Sequence, residues 1–77
     1  PASVQVAKTS GLAGIAYWIN QNYRLTGDAQ IDKRDPLVLA LKGWVDAEYE
    51  DGRQTVISAK ELNAKIAELA PGRFAQV

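Results

Sequence analysis

Apolar residues recur at helical spacing in three separate stretches of this chain. At 100° per residue, the apolar positions of each stretch fall on one face, as in an amphipathic helix. The predicted helices cover residues 11–23, 36–50 and 59–69. Valines alternate with polar residues in 1–9, which indicates a short extended arm, either an edge strand or a tail docked on another body. The pattern predicts an all-α fold, a single three-helix subdomain with its helical body in 10–70 and a tail in 71–77.

The first predicted helix carries one aromatic residue away from its apolar face. That face consists of Leu12, Ile15, Trp18 and Ile19. Tyr17 lies nearly opposite Ile15, so we expect its ring at the surface or against a partner. Thr9 or Ser10 is expected to cap this helix, because a hydroxyl can accept a hydrogen bond from the free amides of the first turn.

Two glycines, Gly11 and Gly14, stand at the start of this helix. Each weakens the first turn by up to about 1 kcal/mol relative to alanine. Their presence therefore indicates the close approach of a second backbone, through helix packing, or of a ligand. A phosphate-binding loop is disfavoured, because the preceding strand and the full G-x-G-x-x-G spacing are both missing.

The second predicted helix has clear ends but an irregular apolar face. Asp35 is the expected N-cap, Pro36 the first helical residue, and Asp51-Gly52 the end. The apolar face consists of Leu37, Val38, Leu41, Trp44 and Val45. Glu48 falls near the middle of this face, and Leu39 falls on the opposite one. Glu48 is either a buried, protonated acid or, as we favour, the sign of a helix that rotates or frays near its end.

A capping box opens the third predicted helix. In Ser58-Ala59-Lys60-Glu61, the serine and the glutamate can each satisfy a free amide of the first turn. The apolar stripe that follows consists of Ala59, Leu62, Ile66 and Leu69. Pro71-Gly72 is expected to stop the helix. Arg53 precedes the box and is expected to offset part of the unfavourable interaction between the acidic end of the second helix and its dipole.

Aromatic residues are numerous for three short helices. The large rings of the predicted helices are Tyr17, Trp18, Tyr23, Trp44 and Tyr49. Together with Leu39, they exceed what such a small body can bury, and aromatic residues are enriched among interface anchors. The predicted interface consists of Tyr17, Leu39, Trp44 and Tyr49.

Composition excludes several classes of function. Nine basic and nine acidic residues cancel, whereas nucleic-acid binders usually carry a basic excess. No apolar run approaches the roughly 20 residues of a membrane span. The 77 residues contain no histidine and no cysteine, so we expect no metal site and no catalytic base of the usual kind. A cytoplasmic location suits a chain without cysteine.

The run Ser10-Gly11-Leu12-Ala13-Gly14-Ile15-Ala16-Tyr17 resembles the S-G-x-x-G-[IV]-A-Y segment of 2-isopropylmalate synthases and their relatives in the DRE-TIM metallolyase superfamily. In that family the segment lies in the helical region after the catalytic barrel. Tyr23-Arg24-Leu25 and Ile57-Ser58-Ala59-Lys60-Glu61-Leu62 continue the resemblance, which spans most of residues 8–70.

The resemblance implies a parent enzyme that condenses an acyl-CoA, usually acetyl-CoA, with a 2-oxo acid. Homocitrate, citramalate and Re-type citrate synthases share this plan, in which a divalent metal and its ligands lie on the barrel. The helices after the barrel mediate dimerisation and reach over the active site of the neighbouring subunit. The resemblance therefore implies a homo-oligomer and a supporting catalytic role for Tyr17. Ser10, Gly11 and Gly14 are the candidate substrate-binding residues.

Two hypotheses follow. In the first, the chain is a C-terminal helical subdomain of such a transferase, inactive alone, and its opening on Pro1 suggests an excised piece. The leucine-feedback domain of isopropylmalate synthases has no counterpart in these residues, so the product stays open. In the second, the chain is a free-standing helical interaction module.

Overall fold

The computed structural model describes residues 5–74 and confirms the predicted fold class. Its helices are α1 (Leu12–Asn22), α2 (Pro36–Glu50) and α3 (Ala59–Leu69), and a short 3-10 turn covers Gly27–Ala29. Within residues 5–74, α2 is the central helix and packs against both α1 and α3. Val4 of the predicted arm and the last three residues of the predicted tail lie outside the described residues.

The start of α1 differs from the prediction. Gly11 is the N-cap, and no side chain caps the helix. Ser10 Oγ instead accepts a hydrogen bond from the backbone N–H of Ala7 at 2.9 Å. The predicted cap at Thr9 or Ser10 is therefore wrong, because the serine hydroxyl is used in the turn before the helix. The first free amides of α1 have no side-chain partner in the described part of the chain.

Both ends of α2 follow the prediction. The Asp35 carboxylate accepts the backbone N–H of Leu37 at 2.9 Å, and Pro36 occupies the first turn. The chain leaves the helix through Gly52, whose φ of +104° is a conformation that favours glycine. The Arg73 guanidinium also donates to Asp35 at 2.6 and 2.8 Å, and this hydrogen bond lowers the pKa of the Asp35 carboxyl.

The capping box of α3 is present and is extended by a cation. Ser58 Oγ accepts the Glu61 N–H at 3.1 Å, and the Glu61 carboxylate accepts the Ser58 N–H at 3.0 Å. Arg53 donates to both oxygens of Glu61 at 2.7 Å. This bidentate hydrogen bond lowers the pKa of Glu61 to about 2. The loop before α3 is therefore tied to the helix start by a charged pair.

Glu48 is neither a buried acid nor the sign of a frayed helix. The α2 helix continues to Glu50, and the Glu48 side chain is 37% exposed at the edge of the core. Arg53 Nη1 donates to its carboxylate at 3.0 Å. Both interpretations of Glu48 are thus corrected, because an arginine from the next loop pairs with it, whereas the expected offset by Arg53 is confirmed.

The core draws on the arm and the loops as well as on the helices. Its buried residues are Val6, Ile15, Ala16, Ile19, Ile31, Leu37, Val38, Leu41, Val45, Ile57, Leu62 and Ile66. Asn20 exchanges two hydrogen bonds of 2.9 and 3.0 Å with the backbone of Ile31, which fixes the loop after α1. The stripe of α3 is narrower than predicted, because Ala59 and Leu69 are exposed.

Candidate functional site

The outward face of α1 is the first part of the candidate site. Tyr17 is 50% exposed, and Ala13 and Gln21 lie exposed beside it at helical spacing. The Tyr17 hydroxyl makes no hydrogen bond within residues 5–74. The surface position predicted for this ring is confirmed, and its phenol is available to a group outside the described chain.

The glycines of α1 face open space in this chain. A Cβ atom built on Gly11 or on Gly14 would meet nothing within 4 Å. Close packing between helices of the described chain therefore does not explain them. A backbone or ligand that approaches this turn closely lies outside the described residues.

A shallow groove joins the start of α1 to the start of α2. Its volume is about 460 Å³, and it is lined by Gly11, Leu12, Ala13, Lys33, Arg34 and Leu39. Leu39, one of these lining residues, is 51% exposed. Lys33 and Arg34 have no side-chain hydrogen bond or ion pair among the described residues, so two free cations border an apolar surface.

Of the residues predicted to bind substrate, only Gly11 lines this groove. Gly14 lies one turn along α1, and the hydroxyl of Ser10 is engaged in the turn with Ala7. Lys33 and Arg34 are not among the site residues predicted from the sequence. They could have been identified as two consecutive cations just before the predicted second helix, whose first turn carries the outward-facing Leu39.

Trp44 and Tyr49 make contacts with other residues of the same chain. Trp44 is half-buried against the core, with Lys65 Nζ 5.5 Å from its ring centroid. The Tyr49 hydroxyl donates to the carbonyl oxygen of Thr55. Of the four residues predicted at an interface, Tyr17 and Leu39 are therefore the ones that present half their surface outward.

The described residues hold no group of three or more His, Cys, Asp or Glu that could bind a metal ion. Some of the clustered charges are paired within the chain, as in the contacts of Arg53 with Glu48 and Glu61. Among residues 5–74, no helix is long and apolar enough to cross a membrane. The exposed faces can bind or cover another surface, and the described chain shows no assembled acid–base pair.

Two curated proteins are similar to this chain over most of its length. The citrate (Re)-synthase of Syntrophus aciditrophicus (strain SB) is 45% identical over 74 residues, which is 96% of this chain and 12% of that protein. The citrate (Re)-synthase of Clostridium kluyveri is 39% identical over 71 residues, which is 92% of this chain and 16% of that protein. This chain is thus homologous to a short segment of these synthases.

No family model matches the sequence, and no solved structure is similar to it. The coarse resemblance to condensing synthases is supported through the two citrate (Re)-synthases.

Proposed function

We propose that this chain is the C-terminal helical subdomain of an acyl-CoA and 2-oxo-acid condensing enzyme of the Re-citrate synthase type. It assembles with the rest of that enzyme and a neighbouring subunit, and it is inactive by itself. The observation that carries this proposal is the 45% identity to a citrate (Re)-synthase over 96% of the chain. The exposed Tyr17 and Leu39 support it, since a surface shaped against another body keeps apolar and aromatic side chains outside the core.

The chemistry of the reaction belongs to the rest of the enzyme in this proposal. The family implies a divalent metal and acetyl-CoA, but the chain has no histidine and its described residues hold no metal cluster. These residues do not fit a metal site. The metal and the acyl-CoA therefore bind to the remainder of the enzyme, and this chain covers the site where they react.

Tyr17 is the residue that reaches the covered site. Its hydroxyl has no partner within residues 5–74, and the open space above Gly14 lies one helical turn away on the outward side of α1. A phenol so placed can donate a hydrogen bond to an oxygen of the substrate and orient it. Gly11 and Gly14 then allow the backbone of the partner or the substrate to approach the helix start.

The test places this chain in a complete enzyme. The 74-residue segment of the Syntrophus aciditrophicus relative is exchanged for the matching residues of this chain, and Tyr17→Phe is introduced. We expect the turnover number to fall at least about tenfold, the size of a lost hydrogen bond to a reacting group, with an unchanged Tm.

Tyr23→Phe is the matched control. The Tyr23 hydroxyl donates to Asn63 Oδ1 at 2.8 Å inside the chain, so its loss should lower the Tm and leave turnover unchanged. A Tyr17→Phe enzyme with wild-type turnover, or one that loses Tm and activity together, would contradict the role of Tyr17.

A free-standing interaction module is the second candidate function. The observation that favours it is the self-sufficient core, in which every buried side-chain polar atom among the described residues has a hydrogen-bond partner. The two candidate functions differ in what the gene encodes upstream of Pro1. Under the first, the frame upstream of Pro1 encodes a barrel with acidic and histidine metal ligands, and under the second it does not.

A further inference from the structure

The groove between the starts of α1 and α2 combines an apolar lining with two cations. Its volume of about 460 Å³ falls within the range of roughly 300–1,000 Å³ that is typical of small-molecule sites. Such sites are lined mostly by apolar groups, with a few polar groups that fix the orientation of the ligand. In this groove the polar groups are Lys33 and Arg34, so the lining has the composition of a site for an amphiphilic anion.

The loop that carries the two cations is anchored to the helical body. Asn20 exchanges hydrogen bonds of 2.9 and 3.0 Å with the backbone of Ile31, just before the cations. The Asp32 carboxylate accepts the backbone N–H of Arg34 at 2.7 Å, and α2 begins two residues later. The backbone at the edge of the groove is therefore fixed, and a ligand does not have to order a loop in order to bind.

The acid next to the two cations is already paired with another arginine. The Asp35 carboxylate accepts the backbone N–H of Leu37 and is held by Arg73 at 2.6 and 2.8 Å. The side chains of Lys33 and Arg34 form no hydrogen bond or ion pair within residues 5–74. Two positive charges that border an apolar surface are therefore left for an anion from outside the described chain.

We propose that this groove binds an alkyl carboxylate, which is an unbranched aliphatic chain that ends in a carboxylate. Lys33 and Arg34 donate hydrogen bonds to the carboxylate, and the aliphatic chain lies against Leu12 and Leu39. Gly11 leaves room for the ligand, because a Cβ atom built there would meet nothing within 4 Å.

The carboxylate head group matches a geometry that this chain uses elsewhere. Arg53 holds the Glu61 carboxylate through two hydrogen bonds of 2.7 Å, and Arg73 holds Asp35 in the same way. The planar guanidinium group of an arginine fits the two oxygens of a carboxylate. An anion without an aliphatic chain would leave the apolar lining uncovered, and an uncharged chain would leave the cations without a partner.

The length of the aliphatic chain should determine the affinity. Full burial of one methylene group lowers a Kd about fourfold, and a chain on a groove that is open on one side gains about half of that free energy. We therefore expect the Kd to fall at least about tenfold from butyrate to octanoate.

The test is a titration of the isotope-labelled 77-residue chain with sodium octanoate up to about 20 mM, at constant ionic strength, followed by backbone amide chemical shifts. We expect saturable shifts centred on residues 11–13 and 33–39. Acetate probes the charge alone and should bind at least about tenfold more weakly than octanoate. For the chain alone, 1-hexanol is compared with hexanoate and should bind at least about threefold more weakly.

The role of the cations is tested by Lys33→Gln with Arg34→Gln, which should raise the Kd for octanoate at least about threefold. Lys8→Gln with Lys60→Gln is the matched control. It removes the same charge from two exposed positions outside the groove and should leave the Kd unchanged. Equal effects of the two double variants would reject direct contact between the cations and the carboxylate.

The role of the apolar lining is tested by Leu39→Ala, which should also raise the Kd at least about threefold. Leu69→Ala is the control, since Leu69 is 39% exposed at the end of α3 and does not line the groove. The side chains changed in these variants lie at the surface, and the dispersion of the amide spectrum reports whether each variant is folded.

Three results would overturn the proposal. The first is the absence of saturable shifts at about 20 mM octanoate. The second is binding of acetate as tight as that of octanoate, or of 1-hexanol as tight as that of hexanoate. The third is an acidic helical peptide of leucine and glutamate that binds the same residues more than about tenfold more tightly than octanoate, which would assign the groove to a protein partner.

This inference goes beyond the proposed function and is tested separately from it. The titrations use the chain alone and measure no activity. A groove that binds no alkyl carboxylate would leave the role of Tyr17 in a complete enzyme untouched, and a failure of the Tyr17 experiment would leave the groove and its ligand in place.

Discussion

Ile57 donates its backbone N–H to the carbonyl oxygen of Val6 at 3.0 Å, and the two residues form an antiparallel bridge. Both side chains are buried, with exposures of 3% and 1%. The arm before α1 is therefore part of the core of this chain, and it closes the side of the helical body where the loop before α3 runs.

Val6→Ala should lower the free energy of unfolding by about 2 kcal/mol, since it removes two buried methyl groups and leaves a small cavity. Val56→Ala is the same chemical change one residue from the bridge, at a side chain that is 45% exposed. It should cost less than about 0.5 kcal/mol. Urea unfolding of the two variants makes the comparison. Equal losses would show that the arm is not part of the folded core.

The Arg53–Glu61 pair makes stability depend on pH in the acid range. The pKa of Glu61 is lowered from 4.5 to about 2, chiefly by the hydrogen bond from Arg53. The stability that this pair contributes is therefore present above pH 4.5 and is lost as the pH falls towards 2. The difference in Tm between wild type and Glu61→Gln should be largest near neutral pH and should shrink over that window.

Glu68→Gln is the control for this titration. Glu68 pairs with Lys65 at 3.1 Å on the same helix, but its side chain is 68% exposed, so its removal should change the Tm little at any pH. A constant difference between wild type and Glu61→Gln from pH 7 to pH 2 would contradict the role assigned to the pair.

Gly14→Ala should stabilise the isolated chain by about 0.5–1 kcal/mol, because alanine is the better helix former and its Cβ meets nothing within 4 Å. Gly52→Ala should instead destabilise it by about 1 kcal/mol or more, because Gly52 has a φ of +104°. Chemical denaturation at low protein concentration measures both. A loss of stability in Gly14→Ala would show that the turn is packed more closely than the structure indicates.

The same Gly14→Ala change separates stability from function. In the exchanged enzyme it should lower activity while the Tm rises or stays constant, if a second body approaches this turn. Unchanged activity would remove Gly14 from the proposed contact and leave its role in the chain unexplained.

Local hydrogen bonding made much of this fold predictable. The caps at Asp35 and Ser58 depend on partners two or three residues away, and both are present. The predicted cap at Ser10 was wrong because the serine hydroxyl accepts a hydrogen bond in the preceding turn. Residue type alone does not decide between two local hydrogen-bond partners.

Contacts between residues far apart in the sequence were harder to predict. The bridge from Val6 to Ile57 joins positions far apart in the chain and leaves no periodic pattern. The groove was missed for the same reason, since it exists only where α1 meets Lys33 and Arg34 in space. The outward position of Tyr17 was predictable, because helical periodicity alone determines it.

Under the proposed function, these 77 residues are a working part of a Re-citrate-type synthase. The most direct measurement is the rate of citrate formation by the Syntrophus aciditrophicus relative after its matching 74-residue segment is exchanged for this chain. A flexible Gly-Ser segment of equal length is the negative control. We expect a rate within about tenfold of the parent for this chain and no activity for the control. A folded exchanged enzyme that is as inactive as the control would contradict it.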